Sequence, residues 1–132
     1  FTPWTTLEDY LDMFEFVEGE GLIDHVDPVQ FTLRLLVPPG SALLTREAIT
    51  PYLGPLDQAG FIHRWTHPDP RMDLLHREAS RLVEAAAAED AAATFYRLKA
   101  LAYSTAGLPL EPEPALAPDR RRPPRLTEAW FC

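Results

Sequence analysis

The sequence of 132 residues predicts an α/β fold, and three observations point to it. An amphipathic helical pattern opens the chain, a stretch of period-two alternation follows, and further helical patterns fill the middle. A proline-rich segment then leads to the end of the chain. We therefore expect a helix–strand unit over residues 1–44, a mainly α-helical extension over residues 45–107, and a proline-rich linker and tail over residues 108–132.

The first predicted element is a helix over residues 6–18. Thr5 and Glu8 have the spacing of a capping box, with Thr5 as the N-cap. Acidic side chains crowd the first turns, where the helix dipole favours them. The apolar positions recur at helical spacing and are Leu7, Tyr10, Leu11, Phe14 and Val17.

The second predicted element is a β-strand over residues 29–37, entered at Pro28 and ended by the Pro38-Pro39-Gly40 stretch. Its apolar face consists of Val29, Phe31, Leu33, Leu35 and Val37. The opposite face carries Gln30, Thr32 and Arg34. A helix followed by such a strand fits the end of an α/β unit. Periodicity leaves two alternatives open: a barrel strand with a polar face toward the lumen, or a surface strand with a solvated polar side.

Arg34 is the strongest binding candidate that the residues alone provide. A cation inside a strand must be paired, solvated or bound to an anion. Gln30 shares its face, so the two side chains together can hold a carboxylate. The competing interpretation is a structural salt bridge between Arg34 and an acid elsewhere in the fold.

Helical patterns dominate the predicted extension over residues 45–107. Short helices are expected over residues 45–49 and again from Thr50, and residues 61–67 look extended. A long helical stretch runs from Arg71 to Ala106, with a break at Asp90 and a glycine stop at Gly107.

Two histidines, His63 and His67, stand four apart, with Asp69, Asp73 and His76 nearby. That spacing makes a metal pair on a helix. In an extended segment, residues four apart are about 13 Å distant, so the sequence argues against a metal site there.

Charge and cysteine content exclude several classes. Residues 1–30 hold eight acids and no lysine or arginine, so they carry the whole net charge of −8. Such a surface repels phosphate backbones, and we expect no nucleic-acid partner. Apolar runs fall short of the roughly 20 residues of a membrane helix, and no signal-peptide pattern is visible. We therefore expect no membrane partner and a cytoplasmic location. One cysteine, Cys132, makes neither a disulfide framework nor an iron–sulfur site by itself.

Three stretches resemble the cobalamin-domain-associated type of radical S-adenosylmethionine enzymes. Residues 2–10 (TPWTTLEDY) resemble a strand end and helix start late in the catalytic barrel, and residues 24–41 resemble the last barrel strand and its loop. Residues 125–132 (RLTEAWFC) resemble the tail of a subgroup that ends in Cys-Cys-Ala-Glu-Pro or Cys-selenocysteine-Ala-Glu-Pro.

The resemblance implies the end of a partial TIM-type (β/α) barrel that uses S-adenosylmethionine and a four-iron four-sulfur cluster; it leaves cobalamin binding open. The cluster's Cys-x-x-x-Cys-x-x-Cys motif is absent here, so the implied partner is a missing N-terminal part of the same protein, with the substrate unknown. By analogy, Gln30 and Arg34 face the lumen near S-adenosylmethionine, Ser41 lies at the rim, and Cys132 is a catalytic or redox thiol. We expect a UGA codon after Cys132, read as a stop instead of selenocysteine.

A second functional class stays open beside this one. In it the chain is a non-catalytic interaction module, which docks through the acidic helix and the apolar tip formed by Trp130 and Phe131.

Overall fold

In the computed structural model, the described residues are 1–110, 112, 114, 115, 117, 119, 120 and 123. They form three α-helices and one β-hairpin, so the α/β prediction is confirmed as a mixture of helices and strands. The elements are α1 (Leu7–Gly19), β1 (Leu53–Asp57), β2 (Ile62–Trp65), α2 (Pro70–Ala85) and α3 (Ala91–Ala106).

Helix α1 follows the prediction, but its cap lies one residue further on. Thr6 is the N-cap, and its hydroxyl accepts from the Asp9 N–H while the Asp9 carboxylate accepts from the Thr6 N–H. Thr5 is not the cap because the preceding turn uses it: its N–H donates to the Thr2 hydroxyl at 3.1 Å. The buried face is the predicted one, with Leu7, Tyr10, Phe14 and Val17.

The predicted strand over residues 29–37 is wrong. Pro28–Thr32 forms a 3-10 turn, because the Asp27 carboxylate caps the Val29 N–H at 3.0 Å and proline occupies the first helical position. Residues 33–38, which we call the extended segment, belong to no helix and no strand ladder, and Leu33 at their start has an extended backbone. The predicted alternation fails at Leu33, which is exposed although it was placed on the apolar face, whereas Phe31 and Val37 of that face are buried.

The hairpin replaces part of the expected helical extension. The short helix predicted over residues 45–49 is wrong, because a 3-10 turn ends at Thr45 and residues 47–49 form a turn. The helix expected from Thr50 is only a 3-10 turn, Thr50–Tyr52. Strand β1 was not predicted, because Gly54 and Pro55 interrupt its alternation. It pairs antiparallel with β2, which confirms the extended reading there.

Helices α2 and α3 form as the sequence predicts. Asp69 and Asp90 are their N-caps, each accepting a hydrogen bond from the backbone N–H two residues on. Gly107 ends α3 in the left-handed conformation, with φ of 69°, which favours glycine.

An aromatic cluster lies at the centre of the main core. The Phe14 ring stacks on Phe31 with centroids 5.1 Å apart and meets Phe95 edge-on at 5.3 Å. These three rings come from α1, the 3-10 turn and α3, and Met72 and Leu75 of α2 pack into the same cluster. A smaller core of Val37, Ile49 and Trp65 lies under the hairpin.

Replacing Phe14 with alanine tests this core. Because the ring is fully buried against two other rings, F14A is expected to lower the free energy of unfolding by about 3–5 kcal/mol, measured by urea denaturation. The matched control is F16A on the same helix, where the ring is 62% exposed and the change should stay within about 0.5 kcal/mol. Equal losses in both variants would contradict the packing described.

Candidate functional site

Phe1 and the extended segment are joined as two parallel strands are. The Phe1 nitrogen donates to the Leu33 carbonyl at 2.6 Å, and the Leu35 N–H donates to the Phe1 carbonyl at 2.8 Å. One residue thus bonds to both neighbours of Arg34, which is the hydrogen-bond pattern of a parallel bridge. Parallel neighbours need a long crossover connection, and here α1 supplies it. The sequence did not predict this bridge.

Helix α1 packs directly over this bridge. The Phe1 ring lies 4.8 Å from the Tyr10 ring, and the Tyr10 hydroxyl donates to the Phe31 carbonyl at 2.8 Å. Burial raises the pKa of Tyr10, which favours the protonated phenol that donates this hydrogen bond. The contacts therefore tie the helix to both sides of the bridge.

We call Phe1, α1 and residues 33–38 the parallel unit. Because Phe1 and residues 33–38 run in the same direction, the loops that follow them lie at the same end of this unit. Residues 2–6 follow Phe1, and residues 38–41 follow Val37. Ser41 lies in the second loop, where its hydroxyl accepts from the Leu43 N–H at 3.3 Å. Gln30 is exposed in the 3-10 turn before the extended segment begins. At about 3.3 Å per residue, the segment keeps Gln30 and Ser41 at opposite ends.

Arg34 has protein partners on two sides. Its Nη2 atom lies 2.8 Å from an Asp73 carboxylate oxygen and donates to the Trp65 carbonyl at 2.9 Å. The guanidinium carbon sits 3.6 Å from the Trp65 ring centroid, a cation–π geometry. The structural salt bridge that the sequence left open is therefore present, with Asp73 as the acid. A role for Arg34 in cofactor binding stays a prediction.

His67 fastens the first loop to the start of α2. The Asp69 N–H donates to its Nδ1 atom at 2.9 Å, so we assign the ring proton to Nε2, which donates to the Thr5 carbonyl at 2.9 Å. The His67 N–H in turn donates to Asp73 at 3.0 Å. The sequence analysis did not predict this clamp.

The clamp borders a surface depression of about 520 Å³ next to the first loop. Its polar lining is Thr6, Glu8, His67, Asp69 and Arg71. The Arg71 guanidinium, exposed to 57%, is engaged by Asp69 at 2.7 Å. This hydrogen bond holds the pKa of Asp69 below its usual range. The depression therefore presents a paired charge beside the end of the parallel unit.

The other histidines have separate surroundings. His63 lies in β2, where its N–H donates to the Val37 carbonyl at 2.7 Å. The His76 ring packs edge-on against Phe1 at 5.0 Å, and burial, reinforced by Arg34, lowers its pKa. Within the described part of the chain, no three histidine, cysteine, aspartate or glutamate side chains group as metal ligands do.

A second charged cluster joins α1 to α3. Lys99, only 9% exposed at its side chain, lies 2.7 Å from the Glu15 carboxylate and also bonds to Glu18. Burial lowers the pKa of Lys99, but the two carboxylates outweigh this effect and raise it above its usual value. The hydrogen bond from Lys99 also lowers the pKa of Glu15. Part of the acidic face of α1 is therefore paired inside the fold.

The comparisons with known proteins add no relative. No protein-family model, no curated protein and no solved structure matches this chain. No helix among the described residues is long and apolar enough to cross a membrane. Cys132, Trp130 and Phe131 lie outside the described residues, so their predicted roles stay predictions.

Two arginine–aspartate pairs allow a matched test of the Arg34 interaction. The side chains of Arg34 and Asp73 are 23% and 17% exposed, so R34A leaves a partly buried carboxylate without its cation and should cost about 2 kcal/mol of unfolding free energy. R64A breaks the 2.6 Å pair with Asp57, but Arg64 is 72% exposed, and we expect a cost within about 1 kcal/mol. Chemical denaturation measures both. A smaller loss for R34A than for R64A would contradict the structural role of Arg34.

Proposed function

We propose that this chain is the C-terminal portion of a radical S-adenosylmethionine enzyme, which cleaves S-adenosylmethionine reductively with an iron–sulfur cluster held by an upstream part of the protein. The observation that carries the proposal is the parallel bridge between Phe1 and Arg34 with α1 as its crossover. Arg34 lies within the second stretch whose sequence resembles the end of such a barrel, and Phe1 directly precedes the first.

The hydrogen bonding of the two edges of the extended segment supports the proposal that it belongs to a larger sheet. One edge is used, because Phe1 bonds to Leu33 and Leu35 and the Val37 carbonyl accepts from His63. Among the described residues, the backbone N–H and carbonyl groups of Arg34 and Leu36 on the other edge have no hydrogen-bond partner. Leu33 and Leu36 are also 57% and 64% exposed. Bare, apolar strand edges of this kind are normally covered in native proteins.

The cofactors divide between this chain and the proposed upstream part. One cysteine does not supply the three thiolates of the cluster motif, so the residues here do not fit the cluster. In α/β barrels, ligands bind where the strands end at their carboxyl side. That end carries residues 2–6 and Ser41, and we propose that it faces S-adenosylmethionine.

The predicted cofactor residues differ in how well their positions support this proposal. Ser41 lies at the favoured end, whereas Gln30 lies at the opposite one. Arg34 reaches an added carboxylate only through guanidinium nitrogens other than the Nη2 atom, which Asp73 and Trp65 hold. We therefore place Ser41 first among the three. Cys132 as a tail thiol, and cobalamin as a cofactor of the longer protein, rest on the resemblance alone.

The interaction-module alternative has less support from the contacts. It depends on a free acidic face on α1, but Glu15 and Glu18 pair with Lys99 and Asp9 is engaged in the capping box. The remaining exposed acids offer a smaller charged surface for a partner.

The decisive experiment uses the gene read from its natural start. The upstream codons should encode a Cys-x-x-x-Cys-x-x-Cys motif, and the full protein, reconstituted anaerobically with iron and sulfide, should consume S-adenosylmethionine when reduced. Alanine in place of the motif cysteines should abolish this. An initiator Met codon directly before Phe1, or a reconstituted protein that leaves S-adenosylmethionine intact, would overturn the proposal.

Ser41 provides the residue-level arm of the same experiment. S41A should raise the KM for S-adenosylmethionine, because the hydroxyl lies in the loop that ends the parallel unit. The matched control is S104A on the exposed face of α3, which should leave the KM unchanged.

A further inference from the structure

We infer that the described residues of the proline-rich segment form a strap along α3, with Arg120 as its anchor. These residues are 108–110, 112, 114, 115, 117, 119 and 120. The Arg120 Nε atom lies 3.2 Å from an Asp24 carboxylate oxygen, and its Nη2 atom donates to both carboxylate oxygens of Asp90. The side chain is only 14% exposed. The sequence alone predicted a proline-rich linker over this stretch, without an anchor at Arg120.

The strap starts at the opposite end of α3. Gly107 turns the chain, and the Leu108 N–H donates to the Tyr103 carbonyl at 3.0 Å. Further along, Leu110, Pro112 and Pro114 border a groove of about 340 Å³ together with Tyr96 and Lys99 of α3. The described part of the segment thus runs from the end of α3 back to its N-cap, Asp90.

The lengths are compatible with this path. Helix α3 has 16 residues, or about 24 Å at 1.5 Å per residue. Residues 108–120 span up to about 40 Å in the polyproline conformation, at 3.1 Å per residue. The segment therefore has enough length to cover the helix without strain.

The Arg120 guanidinium contacts two carboxylates that belong to different parts of the fold. Asp90 caps α3, and Asp24 lies in the loop after α1. Because the three side chains are largely shielded from water, salt screens their attraction less than that of exposed pairs. Prolines restrict the free segment, so docking it costs less conformational entropy than docking a flexible linker.

The anchor at Arg120 fixes the point from which the residues up to Cys132 extend. Its consequence for the position of Cys132 rests on the proposed function. Asp24 lies beyond the C-terminal end of α1, whereas residues 2–6 lie at its start. The 12 residues after Arg120 reach at most about 40 Å, and α1 is about 20 Å long. Cys132 can therefore reach the proposed S-adenosylmethionine end while the strap stays fastened.

Carbodiimide cross-linking tests the anchor without any activity assay. The reagent joins a lysine amine to a carboxylate in direct contact, and Lys99 is the sole lysine of the chain. In R120K the substituted side chain should cross-link to Asp24 or Asp90, as identified by peptide mass spectrometry. R122K is the matched control and should give at least fivefold less of these products. The Lys99 cross-links to Glu15 and Glu18 report the fold in every variant.

The cross-linking results distinguish a fastened strap from a free segment. Cross-links from position 120 to Asp24 or Asp90, with few from position 122, support the strap. Equal yields from both positions, or none from position 120 while the Lys99 products form, overturn it. Neither result depends on S-adenosylmethionine cleavage, so failure of the strap and failure of the proposed function are distinguishable.

Trypsin provides a second measurement that leaves Arg120 itself in place. Cleavage after Arg120 requires its side chain to leave the carboxylates, so this bond should be cut at least tenfold more slowly in the native chain than in a D24N/D90N variant. Asn keeps the N-cap of α3, and cleavage after Arg125 normalises the two digests. Equal normalised rates would overturn the strap even if R120K failed to fold.

Discussion

The two hydrogen bonds between Phe1 and the extended segment are the constraint on which the rest of the arrangement depends. They fix the direction of residues 33–35 relative to Phe1, and that direction makes α1 a crossover helix. Once α1 lies across the bridge, Phe14 reaches Phe31 and Phe95, and the loops after Phe1 and Val37 fall at one end. The main core and the candidate site therefore both follow from one pairing.

Charged contacts then hold the later elements to this unit. Asp73 accepts from the His67 backbone and pairs with Arg34, so a single carboxylate at the start of α2 touches both the extended segment and the clamp on Thr5. Lys99 makes the equivalent connection from α3 to α1. These pairs are partly buried, where losing one partner leaves the other charge uncompensated, and they position the elements more than they add stability.

The helices could be predicted from the sequence because their signals are local. Asp90 as a cap, Gly107 as a stop and the buried stripe of α1 depend on neighbouring residues only. The extended segment could not, because Asp27 and Pro28 impose a 3-10 turn on a stretch whose alternation favours a strand. Once the turn forms, the apolar positions no longer share one face, and Leu33 becomes exposed.

Of the candidate site, the sequence predicted individual residues but not their arrangement. Arg34 was recognised as a cation that needs a partner, yet its acid, Asp73, lies 39 positions away in sequence. Gln30 and Arg34 were grouped by period two, which the turn at Pro28–Thr32 removes. Contacts between distant segments, such as His67 with Thr5, leave no periodic trace in the sequence.

The parallel bridge is tested most directly by NMR, through the scalar coupling that a hydrogen bond transmits. In the 132-residue chain, the account predicts a coupling between the Leu35 amide nitrogen and the Phe1 carbonyl carbon, together with slow exchange of the Leu35 amide and fast exchange of the Leu36 amide. A Leu35 amide that exchanges as fast as that of Leu36 and shows no such coupling would contradict it.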